Sequence, residues 1–374
     1  MISIRVITAN LAVFSLITLG IELFSGSILN EKKLSGSSTL YAASALKARI
    51  AGKDLHSSPR LKRIQDLIDG GVDSVYPYYL YDPQAHHAKN AYWLTMPANS
   101  KIVYCDEGSG LLTYQSNSLG LRKTHNENLE SPLELIILGD SYAEGACVPS
   151  PHDVPSSLSK KTGLNTLNLG RGGSGPLLQQ ALLSELLYES TLGKLKIKKG
   201  AIIVWIHFLG NDLQNLAEER STTLSSYLID PSFNSGYFSR LKKNEFKIEQ
   251  DLFYREIISN PAANRLLSNH GYGESASLKN SFARKSALQD YSKTISMVHA
   301  LTEDYGLRLI IISLSNHKRY DETLMRETLA ELERTCTNNN LECHNYNMQG
   351  LHLPNGHFDA AGYAKLSTYI KGKL

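Results

Sequence analysis

Residues 133–145 read Leu-Glu-Leu-Ile-Ile-Leu-Gly-Asp-Ser-Tyr-Ala-Glu-Gly. The near-continuous apolar run from Leu133 to Leu138 is expected as a strand covered on both faces, since a strand with one wet face would alternate. Gly139 to Gly145 then reads as a tight turn into a helix. A serine at such a turn presents its hydroxyl at the sheet edge, and backbone N–H groups at the helix start can hold a developing negative charge. Asp140 and Ser141 are also common helix N-caps, so this fragment alone leaves cap and nucleophile level.

Working outward, four more runs have strand character: 165–169 (NTLNL), 201–208 (AIIVWIHF), 307–314 (LRLIIISL) and 342–347 (ECHNYN). Helix-compatible segments fall at 151–162, 176–192, 284–305 and 320–338, with a last one from Ala360 to Lys371. Apolar strands alternating with helices predict an α/β fold, a three-layer α/β/α doubly wound (flavodoxin-like) domain with a parallel five-stranded sheet over 133–374. The interval of about 213–279 is too long for a simple connection. It has mixed charge, two prolines and several aromatics, and is expected as a helical insertion over the C-terminal edge of the sheet, a lid or substrate-binding element.

Upstream, Val6 to Ile21 is an uncharged, mostly apolar stretch behind Arg5. Its length suits a signal h-region or short anchor, and without a clear Ala-x-Ala site after it residues 1–29 are expected as an uncleaved signal anchor. Residues 30–132 read as a polar stalk followed by an accessory segment of short strands and turns, including the Tyr-rich VYPYYLYDP at 75–83.

The whole chain of 374 residues suits one large catalytic domain with attached pieces. Its net charge of +3, from 39 basic against 36 acidic residues, supplies no field for holding nucleic acid, which is not expected as a partner. The basic runs 194–199 and 240–243 read as solvated faces. Cys105, Cys147, Cys336 and Cys343 form no CxxC pair of the kind that holds zinc, so no metal or other cofactor is expected. In an oxidising compartment four cysteines read as two bridges, in cytosol as four buried thiols. Cys336 and Cys343 bracket an Asn-rich run that a disulfide could close, and Cys105 and Cys147 flank the candidate nucleophile.

Three further blocks follow predicted strands. Asn168-Leu169-Gly170-Arg171-Gly172-Gly173-Ser174-Gly175-Pro176 has the glycine density that lets backbone N–H groups point into a cleft, or that makes a plain turn before a helix begun by Pro176. Gly210-Asn211-Asp212 offers a neutral amide donor, or a cap. Gly356-His357-Phe358-Asp359-Ala360-Ala361-Gly362-Tyr363 sets a histidine in a loop before the last helix, from which it can reach over the sheet edge to accept a serine proton. All four blocks start at the C-terminal ends of predicted strands, where α/β sheets bind ligands.

With those blocks in that order the chain resembles the SGNH/GDSL hydrolase superfamily: GDSYAEG carries Ser141, NLGRGGSGP Gly173, GND Asn211 and GHFDAAGY His357. A looser similarity, to membrane-anchored bacterial envelope proteins, covers Tyr104-Cys105-Asp106-Glu107 and SNSLGLR at 116–122, and implies that Cys105 pairs with Cys147. The resemblance implies Ser141 as nucleophile, His357 as base, and an oxyanion hole from the N–H groups of Ser141 and Gly173 with the Asn211 amide. The family's aspartate three residues before the histidine is Pro354 here. Asn355, Asp359 or a backbone carbonyl remains to orient the ring.

The expected activity is ester hydrolysis on an acylated glycan or lipid, by an esterase or deacetylase at the bacterial inner membrane facing the periplasm, or secreted if the leader is cleaved. The same residues suit an O-acetyltransferase acting on a surface polysaccharide. A weakened glycan-binding or assembly protein is the third reading. The expected partners are a small-molecule or glycan ester and the membrane, through the N-terminal segment.

Overall fold

A computed structural model describes the backbone of 75–77 and residues 94–105, 112–230, 232–242, 278, 281–349 and 356–374. Three short strands come first, β1 (Val75–Pro77), β2 (Lys101–Val103) and β3 (Thr113–Gln115), in a small sheet ordered β1-β2-β3. The main sheet comprises β4 (Leu133–Gly139), β5 (Thr166–Gly170), β6 (Ile197–Phe208), β7 (Arg308–Ser315) and β8 (Glu342–Asn347). Its order is β5-β4-β6-β7-β8 and every pairing is parallel, so the chain starts inside the sheet and winds outward in both directions. This is the doubly wound, flavodoxin-like order, with its switch point between the first and third strands of the sheet.

Parity along the strands explains the layers. Ile136 and Leu138 join Ile203, Trp205, Leu309 and Ile311 in one core, while Leu135 and Ile137 join Val204, Ile206, Phe208, Ile310, Ile312 and Leu314 in another. Both faces therefore need helices, since each Leu or Ile left wet would forgo about 1.5–3 kcal/mol of burial. The first face is covered by α3 (Pro176–Thr191), α4 (Asp212–Glu219), α7 (Ser281–Asp304) and α8 (Glu322–Asn338), and the second by α2 (Val154–Thr162) and α9 (Ala360–Lys371). Asp153, Asp321 and Asp359 cap α2, α8 and α9 by accepting from Ser156, Leu324 and Gly362 N–H groups.

Leu94, Met96, Ile102, Tyr104, Tyr114, Leu119 and Leu121 of the accessory segment belong to the same buried cluster as Leu133 and Ile136. Two disulfides are present, Cys105–Cys147 and Cys336–Cys343. In the expected insertion, α4 is followed by α5 (Ser225–Ile229) and α6 (Tyr237–Lys242), tied to the flank of α3 by buried glutamates. Glu185 accepts from Tyr227 Oη, Tyr237 N–H and the N–H and hydroxyl of Ser235. Most of the remainder of the insertion, and the expected anchor at 1–29 and stalk, lie outside the described residues. Among the described residues no helix is long and apolar enough to cross a membrane.

Candidate active site

Register brings the ends of three strands to one level, with Gly139 opposite both Gly170 and Ile206. Gly139 has φ +145°, and a Cβ there would stand 2.4 Å from the Ile206 carbonyl oxygen, so only glycine permits the chain to turn this close to the neighbouring strand. The turn opens directly into α1 (Ser141–Glu144). Asp140 caps it, its Oδ1 accepting from Tyr142 N–H at 2.9 Å. Burial chiefly, with the neighbouring Asp212 carboxyl, pushes Asp140 up to about 8, against the Tyr142 N–H, the His357 ring and the Ser141 hydroxyl, which hold it down. Ser141 follows the cap at the helix start and is 6 % exposed.

The His357 Nε2 lies 2.8 Å from Ser141 Oγ, across 216 residues of sequence. Its loop is held from two sides at the preceding carbonyl: Gly356 O accepts from Tyr142 Oη at 2.6 Å and from His317 Nε2 at 2.9 Å. His317 Nδ1 accepts the Arg319 N–H at 3.2 Å, which leaves its proton on Nε2, where it donates to Gly356. Gly356 has φ +130°, a conformation side chains resist. The Tyr142 ring packs against the imidazole at 5.1 Å between centroids, and Phe358 is buried beside it. Asp359 Oδ1 accepts the Gly362 N–H at 2.7 Å, at the start of α9. The other ring nitrogen, His357 Nδ1, lies 3.8 Å from Cys147 Sγ.

The oxyanion candidates stand at the ends of β5 and β6. Gly173 is in the loop between β5 and α3 with φ +73°. That loop is fixed on both sides by buried carboxylates. Glu144 accepts from Gly172 N–H at 2.7 Å and from the hydroxyls of Tyr104 and Tyr114 at 2.9 and 2.8 Å. Glu219 accepts from the Gly175, Leu177 and Leu178 N–H groups, capping α3 where its own N-cap, Gly175, has no side chain. Burial raises Glu219 to about 8 against those three donors. Asn211 precedes α4 without capping it, and its buried Oδ1 finds no hydrogen-bond partner among the described residues. That orphaned oxygen is an acceptor, suited to a donor on a ligand, whereas an oxyanion would have to be met by the Asn211 Nδ2.

Behind Asn211 lies a second buried group. His207 Nδ1 is 3.0 Å from Tyr291 Oη and 3.4 Å from Asp212 Oδ2, and all three residues are fully buried. Burial lowers His207 to about 3 and raises Asp212 well above the usual carboxylate range, so the surroundings favour the uncharged form of each.

Ser141 and His357 are thus adjacent, Asn211 and Gly173 sit at the same sheet edge, and Asn355 lies outside the described residues. Sequence reasoning missed Tyr142, His317, Glu144 and Glu219. For His317 a signal existed, its place just past the C-terminal end of β7. The others are read as ordinary core or helix residues until their distant partners are known.

No family model matches the chain, and no curated protein matches it. Among solved structures it is similar, at 12% identity and a TM-score of 0.37, to a protein from Desulfitobacterium hafniense DCB-2 proposed to be lipolytic and of the G-D-S-L family, over 64% of this chain and 98% of that one.

Proposed function

We propose that the protein is a serine ester hydrolase of the SGNH/GDSL type. The observation that carries this reading is the 2.8 Å contact between His357 Nε2 and Ser141 Oγ at a strand-to-helix turn. In this reading His357 takes the Ser141 proton as the hydroxyl attacks an ester carbonyl. The oxygen that becomes negative is met by the N–H groups of Ser141 and Gly173 and the Asn211 amide, and the alcohol departs with the proton returned by His357. Water then resolves the acyl-serine by the same route. A largely buried nucleophile turn favours this chemistry, since each donor is stronger there than in water.

An acylated glycan or lipid in the cell envelope is the proposed substrate. Two disulfides among the described residues support an oxidising, extracytoplasmic location, to which the apolar N-terminal stretch would deliver the domain. The test is covalent labelling with a fluorophosphonate. Wild-type protein is expected to label at Ser141, with labelling lost in Ser141→Ala and reduced at least about 100-fold in His357→Ala. p-Nitrophenyl acetate is expected to turn over without any added acceptor. A folded wild type that neither labels nor hydrolyses would overturn the reading in favour of a glycan-binding module, and labelling with turnover only on addition of a sugar acceptor would make it a transferase.

A further inference from the structure

The base's second nitrogen faces sulfur. His357 Nδ1 lies 3.8 Å from Cys147 Sγ, and that sulfur is bonded to Cys105. Position 354, where the resemblance would place a carboxylate, is proline. Cys147 itself lies just beyond α1 at a left-handed φ of 62°. Its bridge ties it to the residue after Tyr104, whose hydroxyl is bonded to Glu144 of the same α1. The sulfur is therefore placed by the accessory strand on one side and the nucleophile turn on the other, with the imidazole against it.

We propose that the Cys105–Cys147 disulfide is a positioning group for His357, so that the Ser141–His357 pair works while the bridge is closed and is impaired when a dithiol opens it; the inference rests on the hydrolase reading above. A bridged sulfur carries neither proton nor charge. It accepts weakly from an Nδ1–H, the tautomer that leaves the Nε2 lone pair facing the Ser141 proton. Thiol–disulfide exchange with a dithiol breaks the S–S bond, places a hydrogen on each cysteine sulfur, and releases the dithiol as its cyclic disulfide. The new Cys147 thiol then stands beside an imidazole. Transfer of its proton to the ring gives a thiolate–imidazolium pair, in which the ring can no longer accept the serine proton. The Cys336–Cys343 bridge joins α8 to β8 and serves as the control.

The experiment uses the full chain carrying Cys336→Ser and Cys343→Ser, and the same chain with Cys105→Ala, in which Cys147 is permanently a thiol. Fluorophosphonate labelling of Ser141 is expected to fall by on the order of tenfold in the second protein, and in the first after dithiothreitol, with recovery on reoxidation of the first. A second measurement separates this from a loosened fold. The alkylation rate of Cys147 by iodoacetamide at neutral pH is expected to be several-fold faster with His357 present than in the His357→Asn version, because the imidazole raises the thiolate fraction. Equal labelling with bridge open and closed, or equal alkylation with and without His357, would overturn the inference. Absence of labelling in the oxidised protein would instead overturn the hydrolase reading itself, while faster alkylation would still support the contact.

Discussion

The nucleophile turn and the histidine loop meet at two hydrogen bonds, Ser141 with His357 and Tyr142 Oη on Gly356 O, and are otherwise held by different means. On the serine side, α1 is enclosed by partners from four separate parts of the chain. Tyr104, Tyr114 and Gly172 donate to Glu144, and the Arg122 guanidinium donates to the carbonyls of Gly145 and Val148. On the histidine side, Gly356 O is the carbonyl gripped by Tyr142 and His317, and α9 begins four residues later. The contrast teaches where energy and rate are stored. Buried carboxylates with several donors are expensive to disturb, so damage there should appear as lost stability, whereas a loop aimed by two hydrogen bonds should lose alignment before it loses fold.

The sharpest break of that contrast is Glu144→Ala, which leaves two tyrosine hydroxyls and a Gly172 N–H without their acceptor. A loss of about 3–5 kcal/mol is expected in guanidinium titrations. A loss under about 1 kcal/mol would mean that the turn is held by packing alone.

Next in size is the pH dependence. Asp140 and Glu219, raised to about 8, and Asp212, raised well above the usual range, bind protons in the folded state that the unfolded chain has released. Their contribution is complete below about pH 4 and is lost as pH rises towards 8. His207, lowered to about 3, acts oppositely, weakening the fold as pH falls from about 6.5 towards 3. Because the acids outnumber the histidine, stability should decline by several kcal/mol from about pH 5 to about pH 8.5, and Asp212→Asn should flatten that slope. Denaturant midpoints at the two pH values decide it, and a rise with pH would mean those carboxyls are ionised.

On the histidine side, Tyr142→Phe keeps the ring and removes the hydroxyl. Stability should change by about 1 kcal/mol and Ser141 labelling should slow about tenfold, with His317→Gln, which can still donate to Gly356, milder than His317→Ala. Equal slowing by Gln and Ala would show that the hydrogen bond is not what aims the loop. The smallest effect expected is that of Asp359→Asn. Asn is as good an N-cap, so stability should move by only a few tenths of a kcal/mol and labelling should persist. A large loss of labelling would instead make the Asp359 charge a partner of the imidazole.

Much of this was legible in one dimension. The segments at 133–138, 307–314 and 342–347 are strands within a residue of the expected limits, and Ala360 to Lys371 is a helix as read. The strand at 201–208 proved longer, beginning at Ile197, because Leu133 of β4 pairs with Ile197 beyond a register shift, and a polar Lys-Lys-Gly interior concealed that extension. The pairing of Cys105 with Cys147, implied by resemblance, is present.

Periodicity and turn chemistry are local, so the order of strands and helices, the glycine at the tight turn and the four blocks at strand ends could be read from neighbouring residues alone. Which side chains meet could not. Glu144 as acceptor for two tyrosines, Glu219 as the cap of α3, His317 on Gly356 and the Cys147 sulfur against His357 join residues 30 to 210 positions apart. Such contacts depend on sheet register and helix placement, where a shift of one residue would turn each partner to the opposite face, and only the folded chain sets them.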